Sequence, residues 1–389
     1  MSVGAVAVVL IATLASLFMA WAIGAGSSGS TPFAPAVGAN AISVMRAGFL
    51  VGILGFAGAV LQGANVSRTV GSGLIRGVSL TPIAVVTVLS IAATLVAIGV
   101  FAGYPIASAF SVTGAVVGVG LALGGDPAWA TYREMVGLWV AVPFVGGGIA
   151  FLTARTLRSL DRDRLTIPLV GAIVGLIVAN VRFSMLGPHG RSLAAVIGGL
   201  LPGPPVAGDL GGTVILATGL AALLRWDMNR DPSDGMRHFL IAMGGLVAFS
   251  AGGSQVGLAV GPLLPLLGGT VPLEAVLLGG GLGLLVGSWT GAPRMIKALA
   301  QDYSSLGPRR SISALVPSFA LAQTAVFLGV PISFNEVVVS AIIGSGMAAE
   351  GREGVSGAKM GYTVLAWVGS LAGSLVLGYL GYTAVAWLS

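Results

Sequence analysis

Two short polar blocks interrupt the apolar stretches of this sequence. The first, Gly24–Thr31, reads GAGSSGST and carries four hydroxyls and three glycines in eight residues, a poor composition for a helix interior. The second, Ser250–Gln255, reads SAGGSQ. A helix break at each block would present hydroxyls, an amide and unpaired backbone N–H groups, which together suit an anion. The residues therefore predict anion binding, and a polar surface loop or a small-residue helix contact is the alternative. The candidate ligands are Ser27, Ser28, Ser30, Thr31, Ser254 and Gln255.

A third polar group follows a motif that occurs twice. Gly103–Gly125 and Gly329–Gly351 share nine identities in 23 positions, and both begin Gly-x-Pro-Ile. The offset of 226 between them nearly equals the offset of 227 between the two polar blocks. Internal duplication in a chain with many spans is typical of secondary transporters, which bind substrate near the midplane between repeats. The polar side chains after the motif are Ser108 in the first copy and Ser333, Asn335 and Glu336 in the second.

Glu336 is an acid inside an apolar stretch. Because an ionised carboxylate is costly within a membrane, acids there are usually functional or paired. The residue is therefore predicted to bind a coupling cation or to carry a proton, and a glutamate near a surface turn is the alternative. No metal site is predicted from the sequence beyond this.

The composition decides the class of protein that must position these residues. The chain has 389 residues, of which 56% are hydrophobic and 8% charged, and its mean hydropathy is +0.98. A soluble protein carries about 25% charged residues, so this chain lacks the polar surface of a globule in water. It has no cysteine and two histidines, which excludes thiolate chemistry and a histidine metal centre. The same composition excludes a soluble enzyme and a disordered chain. It also excludes a nucleic-acid binder, because the net charge of +6 is explained by the basic cytoplasmic loops of a membrane protein.

The predicted fold is an all-α polytopic membrane protein of about 10–12 transmembrane segments, built from two homologous, inverted repeats with broken or re-entrant helices. The predicted division is a first repeat over residues 1–160, connecting helices and a loop over 161–236, and a second repeat over 237–389. The expected location is the plasma membrane. Charged segments predicted as polar loops, the first three of them cytoplasmic, are Arg155–Arg164, Arg225–Arg237, Arg294–Arg310 and Glu350–Lys359.

Taken together, the blocks resemble the PiT family of inorganic phosphate transporters over nearly the whole chain. The family carries a G-A-N-D-x-A-N signature in each repeat, and Phe249–Pro262 (FSAGGSQVGLAVGP) keeps the context of the second. The family's first-half G-A-x-L-x-G-x-x-V stretch is matched by Gly58, Ala59, Leu61, Gly63 and Val66, and its G-L-P-V-S-T-T-H element by Gly329, Pro331 and Ser333.

The chain departs from that signature at its polar positions. The Asn-Asp pair of each repeat is replaced by Ser27-Ser28 and by Ser254-Gln255, so both family carboxylates are missing. The resemblance implies a transporter of inorganic phosphate or a related oxyanion that works by alternating access, is not an enzyme and has no cofactor. Sodium and protons both stay open as the coupling cation. A transport-inactive membrane scaffold or partner subunit is the alternative, and whether the chain forms a homo-oligomer is left open.

Overall fold

A computed structural model shows a bundle of long helices with two very short antiparallel strand pairings, β1 with β2 and β3 with β4, and it describes residues 3–183, 190–267 and 270–388. His189 lies outside the described residues. In the first half the elements are α1 Val3–Gly26, α2 Ala34–Gly38, α3 Val44–Gln62, α4 Ala64–Ser72, β1 Ile75–Arg76, α5 Pro82–Ala102, α6 Ser108–Ala122, β2 Asp126–Pro127, α7 Trp129–Leu160, α8 Asp163–Asn180 and β3 Arg182–Phe183. The remaining elements are β4 Arg191–Ser192, α9 Leu193–Gly198, α10 Pro205–Arg230, α11 Pro232–Val260, α12 Leu264–Leu267, α13 Leu273–Thr290, α14 Ala292–Gln301, α15 Pro308–Leu328, α16 Phe334–Glu350 and α17 Gly357–Leu388.

Ten helices of the described residues are long and apolar enough to cross a membrane, which agrees with the predicted range. They are α1, α3, α5, α7, α8, α10, α11, α13, α15 and α17. The protein is a multi-pass membrane protein. The apolar stretch Leu193–Leu201 contains only the six-residue helix α9. Six residues rise about 9 Å, far less than the ~30 Å of a bilayer core.

Helices at equivalent positions of the two halves run in opposite directions. Helix α1 is parallel to α13, because Gly283 packs on Ala20 and Gly291 on Ala25. Helix α3 is antiparallel to α13, with Gly281 near Ala59 and Gly52 near Trp289, and it is parallel to α11. Helices α1 and α11 are therefore antiparallel to each other, as are α3 and α13. This relation is the one that inverted repeats require.

All four charged segments lie at one face of the bundle. Arg309 at the start of α15 pairs with Asp163 at 2.8 and 2.9 Å and also with Asp161, while Arg310 pairs with Glu350 at 2.7 Å. Two spans, α8 and α10, separate the first segment from the second, and two more, α11 and α13, separate the second from the third, so these three segments return to one face. The ion pair between Arg310 and Glu350 places the fourth segment at the same face. The positive-inside rule assigns the face to the cytoplasm, and we call it the basic face. The prediction that Arg225–Arg237 is a loop is wrong, because α10 and α11 occupy it except for Asp231.

The loop before α15 is held against α17 at the same face. The Tyr303 hydroxyl and the Thr363 hydroxyl are 2.7 Å apart, and Lys359 pairs with Asp302 at 3.0 Å. Burial raises the pKa of Tyr303 to about 12, so its hydroxyl stays protonated and can donate.

The repeated Gly-x-Pro-Ile motif breaks the bundle in the same way in each half. Gly103 and Gly329 end α5 and α15 with left-handed backbones, at φ 74° and 68°, which favour glycine. The following residues are extended, and α6 and α16 then begin at Ser108 and Phe334. The two motifs therefore place two helix starts inside the protein.

The two polar blocks, in contrast, do not behave alike. Helix α1 ends at Gly26 and Ser27–Ser30 form a turn, so the break predicted in the first block is confirmed. The break predicted at Ser250–Gln255 is wrong, because α11 runs unbroken from Pro232 to Val260. The glycines there serve helix packing: a Cβ on Gly252 would lie 1.8 Å from the Gly55 carbonyl oxygen of α3.

Candidate functional site

The turn after α1 buries its four hydroxyl side chains. Ser27, Ser30 and Thr31 are fully buried and Ser28 nearly so. The hydroxyls of Ser30 and Thr31 donate to the Ser27 carbonyl oxygen at 3.2 and 3.1 Å, and the backbone N–H groups of both residues also donate there. The Ser28 hydroxyl is 3.5 Å from the Ile23 carbonyl oxygen. The turn is therefore closed on itself by local hydrogen bonds, and the Ser27 side chain points to other helices.

Gln255 connects this turn to the other half of the protein. Its Oε1 accepts from the Ser108 hydroxyl at 2.7 Å and from the Ser27 hydroxyl at 3.2 Å. Its Nε2 donates to the Ile332 carbonyl oxygen at 2.6 Å. One buried amide of α11 thus joins the end of α1, the start of α6 and the segment before α16.

Asn335 makes the reciprocal connection from the second half to the first. Its Nδ2 donates to the Ile106 carbonyl oxygen at 2.6 Å and to the Gly26 carbonyl oxygen at 3.0 Å. Ile106 and Ile332 are the last residues of the two repeated motifs, so each motif offers its isoleucine carbonyl to an amide. We call Ser27, Ser108, Gln255 and Asn335 the polar cluster.

A matched pair of tryptophans holds the two motifs, and sequence analysis missed it. Trp139 of α7 donates its Nε1–H to the Pro331 carbonyl oxygen at 3.0 Å. Trp367 of α17 donates in the same way to the Pro105 carbonyl oxygen at 2.8 Å. The two tryptophans are 228 residues apart, close to the repeat offset, and that spacing is the signal that could have identified them.

Three unsatisfied polar atoms lie beside or within the polar cluster. The Ser254 hydroxyl, Asn335 Oδ1 and Glu336 Oε2 are buried without a hydrogen-bond partner in the described part of the chain. Ser254 precedes Gln255, and Glu336 follows Asn335 and is 2% exposed. Since buried polar atoms are nearly always bonded, such a concentration makes this region the candidate ligand site of the described chain. A hydroxyl can donate to an anion, whereas the two carbonyl-type oxygens suit a cation or a proton.

The remaining predicted residues have structural partners. The Ser333 hydroxyl caps α16 by accepting from the Glu336 backbone N–H at 3.4 Å. The structure therefore bonds Ser27, Ser108 and Gln255 to one another, and Asn335 bonds to the backbone of Gly26 and Ile106 close by. Ser254 and Glu336 are adjacent to members of the polar cluster in sequence. Ser28, Ser30, Thr31 and Ser333 bond to backbone atoms of their own segments instead. Within the described residues, no group of three or more His, Asp and Glu could hold a metal ion.

Two further buried amides, Gln62 and Gln323, form hydrogen bonds that reach Ser250 of α11, one helical turn before Ser254. Gln323 of α15 donates to the Ser250 hydroxyl at 2.6 Å and to Gln62 Oε1 at 3.2 Å. Gln62 of α3 donates in turn to the Arg182 carbonyl oxygen at 3.2 Å. These glutamines also line a large cavity, so they link its wall to the helix that carries Ser254 and Gln255.

Comparison with known proteins agrees with this geometry. The model of the phosphate transporter family matches residues 23–378, which is most of the chain and includes every residue of the polar cluster. The chain belongs to the phosphate transporter family. Proteins of this family are transporters rather than enzymes.

The chain is similar over nearly its whole length to several relatives. It is 31% identical to the protein PH0640 of Pyrococcus horikoshii, which is assigned as a phosphate permease, with 90% of each chain covered. It is 25% identical to the chloroplastic inorganic phosphate transporter 2-1 of Arabidopsis thaliana, with 91% of this chain and 68% of the plant protein covered.

A solved structure titled "The sodium-dependent phosphate transporter" has the same fold. The two structures superpose with a TM-score of 0.80 at 24% identity, covering 98% of this chain and all of the other. This family member therefore keeps the family's fold while its polar cluster is built of hydroxyls and amides.

Proposed function

We propose that this protein is a secondary transporter that moves inorganic phosphate, or a related oxyanion, across the plasma membrane by alternating access. The observation that carries the proposal is the polar cluster, in which side chains of both halves meet inside a member of the phosphate transporter family. A substrate held between two repeats can be exposed to either side as they move against each other. The chain itself holds the ligand, and the lipid bilayer surrounds its apolar exterior.

The anion is bound by hydroxyl and amide donors in this proposal. Ser27 and Ser108 now donate to Gln255 Oε1, and Ser254 has an unused hydroxyl. When an oxyanion enters, the serine hydroxyls rotate from Gln255 Oε1 to the anion, which is the stronger acceptor because it is charged. Ser28, Ser30 and Thr31 hold the turn, while Ser333 and Asn335 hold the start of α16.

Glu336 is the coupling residue in this proposal. Its Oε2 and the neighbouring Asn335 Oδ1 have no hydrogen-bond partner among the described residues, and both are acceptors that a sodium ion or a proton on the carboxylate would satisfy. A cation bound there also offsets the negative charge of an incoming anion. Since the family's two aspartates are absent, Glu336 is the acid beside the polar cluster that can fill this role.

The test is uptake of radiolabelled phosphate into proteoliposomes, with sodium and proton gradients imposed separately. We expect saturable uptake that one of the two gradients stimulates, and we expect Glu336→Gln to abolish the stimulation. Glu274→Gln is the matched control, because it removes the same charge from an exposed position in the first turn of α13. Absence of saturable uptake under both gradients would contradict phosphate transport and favour the scaffold alternative. If a gradient still stimulates uptake in Glu336→Gln protein, the coupling role of Glu336 is contradicted, whereas phosphate transport is not.

A further inference from the structure

A large cavity opens near the ends of α3, α8 and α15. Its volume is about 830 Å³, and Gln62, Asn180 and Phe327 line it near the C-terminal ends of these helices. Helices α8 and α15 begin at the basic face, since Asp163 at the start of α8 pairs with Arg309 at the start of α15. Helix α3 begins there too, because Arg237 of the basic face donates to the Ala41 carbonyl oxygen just before α3. The cavity therefore lies toward the opposite, extracellular side. A water molecule takes about 30 Å³ in the liquid, so a hydrated oxyanion fits easily.

The charge on the cavity wall is all of one sign. The described lining residues include Arg68 and Arg182 but no acid. Both arginines are exposed, and neither forms an ion pair with a described residue. An unneutralised cleft of one sign raises the local concentration of the opposite ion.

The cavity wall holds one arginine in position and offers further donors. The Arg182 guanidinium stacks at 5.4 Å from the centre of the Phe327 ring, and Gln62 holds the Arg182 carbonyl oxygen. Asn65, Asn180 and Thr324 add polar side chains. At its inner wall, Gln62 and Gln323 lead through Ser250 to the segment of α11 that carries Ser254. The cavity thus combines two arginines that have no ion pair among the described residues with a chain of amides that reaches Ser250, one helical turn before Ser254 on α11.

We infer that this cavity is an anion-capture vestibule, in which Arg68 and Arg182 bind a hydrated oxyanion of the phosphate class before it reaches the polar cluster. That the captured anion then moves inward to the polar cluster rests on the proposed transport function. Capture is nonetheless an equilibrium property of the cavity, and it can be measured in protein that does not transport.

The absence of cysteine provides the test. In Thr324→Cys the thiol is the only one in the chain and lies on the cavity wall. Its reaction rate is measured with two methanethiosulfonates of similar size, the anionic sulfonatoethyl and the cationic trimethylammonioethyl reagent. We expect the ratio of anionic to cationic rate to fall about tenfold in Arg68→Gln/Arg182→Gln, the lower end of electrostatic enhancement in charged clefts. The difference should shrink at high salt.

Two controls separate local capture from other effects. Arg133→Gln removes one charge near the start of α7, outside the cavity lining, and should leave the ratio unchanged. Arg68→Lys/Arg182→Lys keeps both charges and should keep most of the ratio. Inorganic phosphate, added at constant ionic strength, should slow labelling in the parent but not in the glutamine double variant. A ratio that the glutamine double variant leaves unchanged, or equal phosphate protection in both, would overturn the inference.

Uptake gives an independent arm. If the parent protein takes up phosphate, the glutamine double variant should raise KM about tenfold at low ionic strength and leave kcat unchanged. A loss of kcat with no change in KM would contradict capture. If the parent takes up no phosphate, the proposed function fails, whereas the labelling ratio still decides whether the vestibule binds anions.

Discussion

Gln255 is the residue through which the two halves of the protein meet in the polar cluster. It accepts from two serines of the first half and donates to the backbone of the second half. It stands where the family keeps an aspartate, and it conserves the acceptor oxygen without the negative charge. An uncharged acceptor does not repel an incoming anion electrostatically, whereas a carboxylate would repel it unless a bound cation neutralised the carboxylate. In the proposed function, we therefore expect anion binding to depend less on sodium at this position.

Substitution of Gln255 tests this role. Gln255→Leu has a similar size but leaves the hydroxyls of Ser27 and Ser108 without their acceptor and the Ile332 carbonyl without its donor. Unsatisfied buried groups cost about 1–3 kcal/mol each, so we expect a lower thermal stability together with loss of phosphate uptake. Gln255→Asn tests reach, because its shorter side chain should restore part of the stability but little uptake. Unchanged uptake by Gln255→Leu protein would show that the polar cluster does not contact the substrate.

The members of the polar cluster were predictable, but their bonds were not. Hydroxyls, amides and an acid inside apolar stretches stand out in any sequence. The repeated Gly-x-Pro-Ile motif also identified Ser108 in the first half together with Ser333 and Asn335 in the second. In the structure, the side-chain amide of Gln255 donates to the Ile332 carbonyl oxygen, and that of Asn335 donates to the Ile106 carbonyl oxygen. Every residue has a carbonyl, so only the tertiary fold decides which of them is turned toward a side chain.

At the scale of helices, the same residue types have different roles in the two polar blocks. Glycine and serine end α1 at Gly26, whereas they lie within the continuous helix α11. The composition is shared because both tasks need small side chains: a turn needs little steric bulk, and so does a close helix crossing. Prolines decide between the two outcomes, since Pro32 and Pro35 follow the first block closely, and the second has none before Pro262.

The crossing of α3 and α11 gives a prediction at this scale. A Cβ at Gly252 would lie 1.8 Å from a backbone oxygen of α3, which cannot move as a flexible side chain would. We expect Gly252→Ala to force the helices apart, to cost about 1–3 kcal/mol and to lower the melting temperature of the purified protein. Gly279→Ala is the control, because a Cβ there meets no atom within 4 Å. If both variants melt together, the crossing is not as tight as the structure indicates.

At the scale of the whole molecule, the two sides of the bundle differ. The basic face is tied together by ion pairs between Arg309 and Asp163, Arg310 and Glu350, and Lys359 and Asp302. The opposite side contains the vestibule. The cavity at the basic face is smaller, at about 200 Å³ against about 830 Å³. In the proposed function, this asymmetry corresponds to a state that is more open toward the extracellular side. The number of spans and the fold class followed from hydropathy, but this asymmetry depends on ion pairs between residues 40, 57 and 146 positions apart in the chain.

Breaking one of these pairings should shift the molecule toward its opposite state. Asp163→Asn removes the bidentate partner of Arg309, and a partly exposed pair of this kind contributes up to about 1 kcal/mol, or roughly a fivefold change in population. Two single thiols report the shift. Ser313→Cys, buried one turn after Arg309, should label faster in Asp163→Asn protein, whereas Thr324→Cys in the vestibule should label more slowly. Lys297 lies at the same face and forms no ion pair with a described residue. Lys297→Gln is therefore the control and should alter neither labelling rate. Faster labelling at both thiols would mean general loosening, and it would contradict a switch in which one side closes as the other opens.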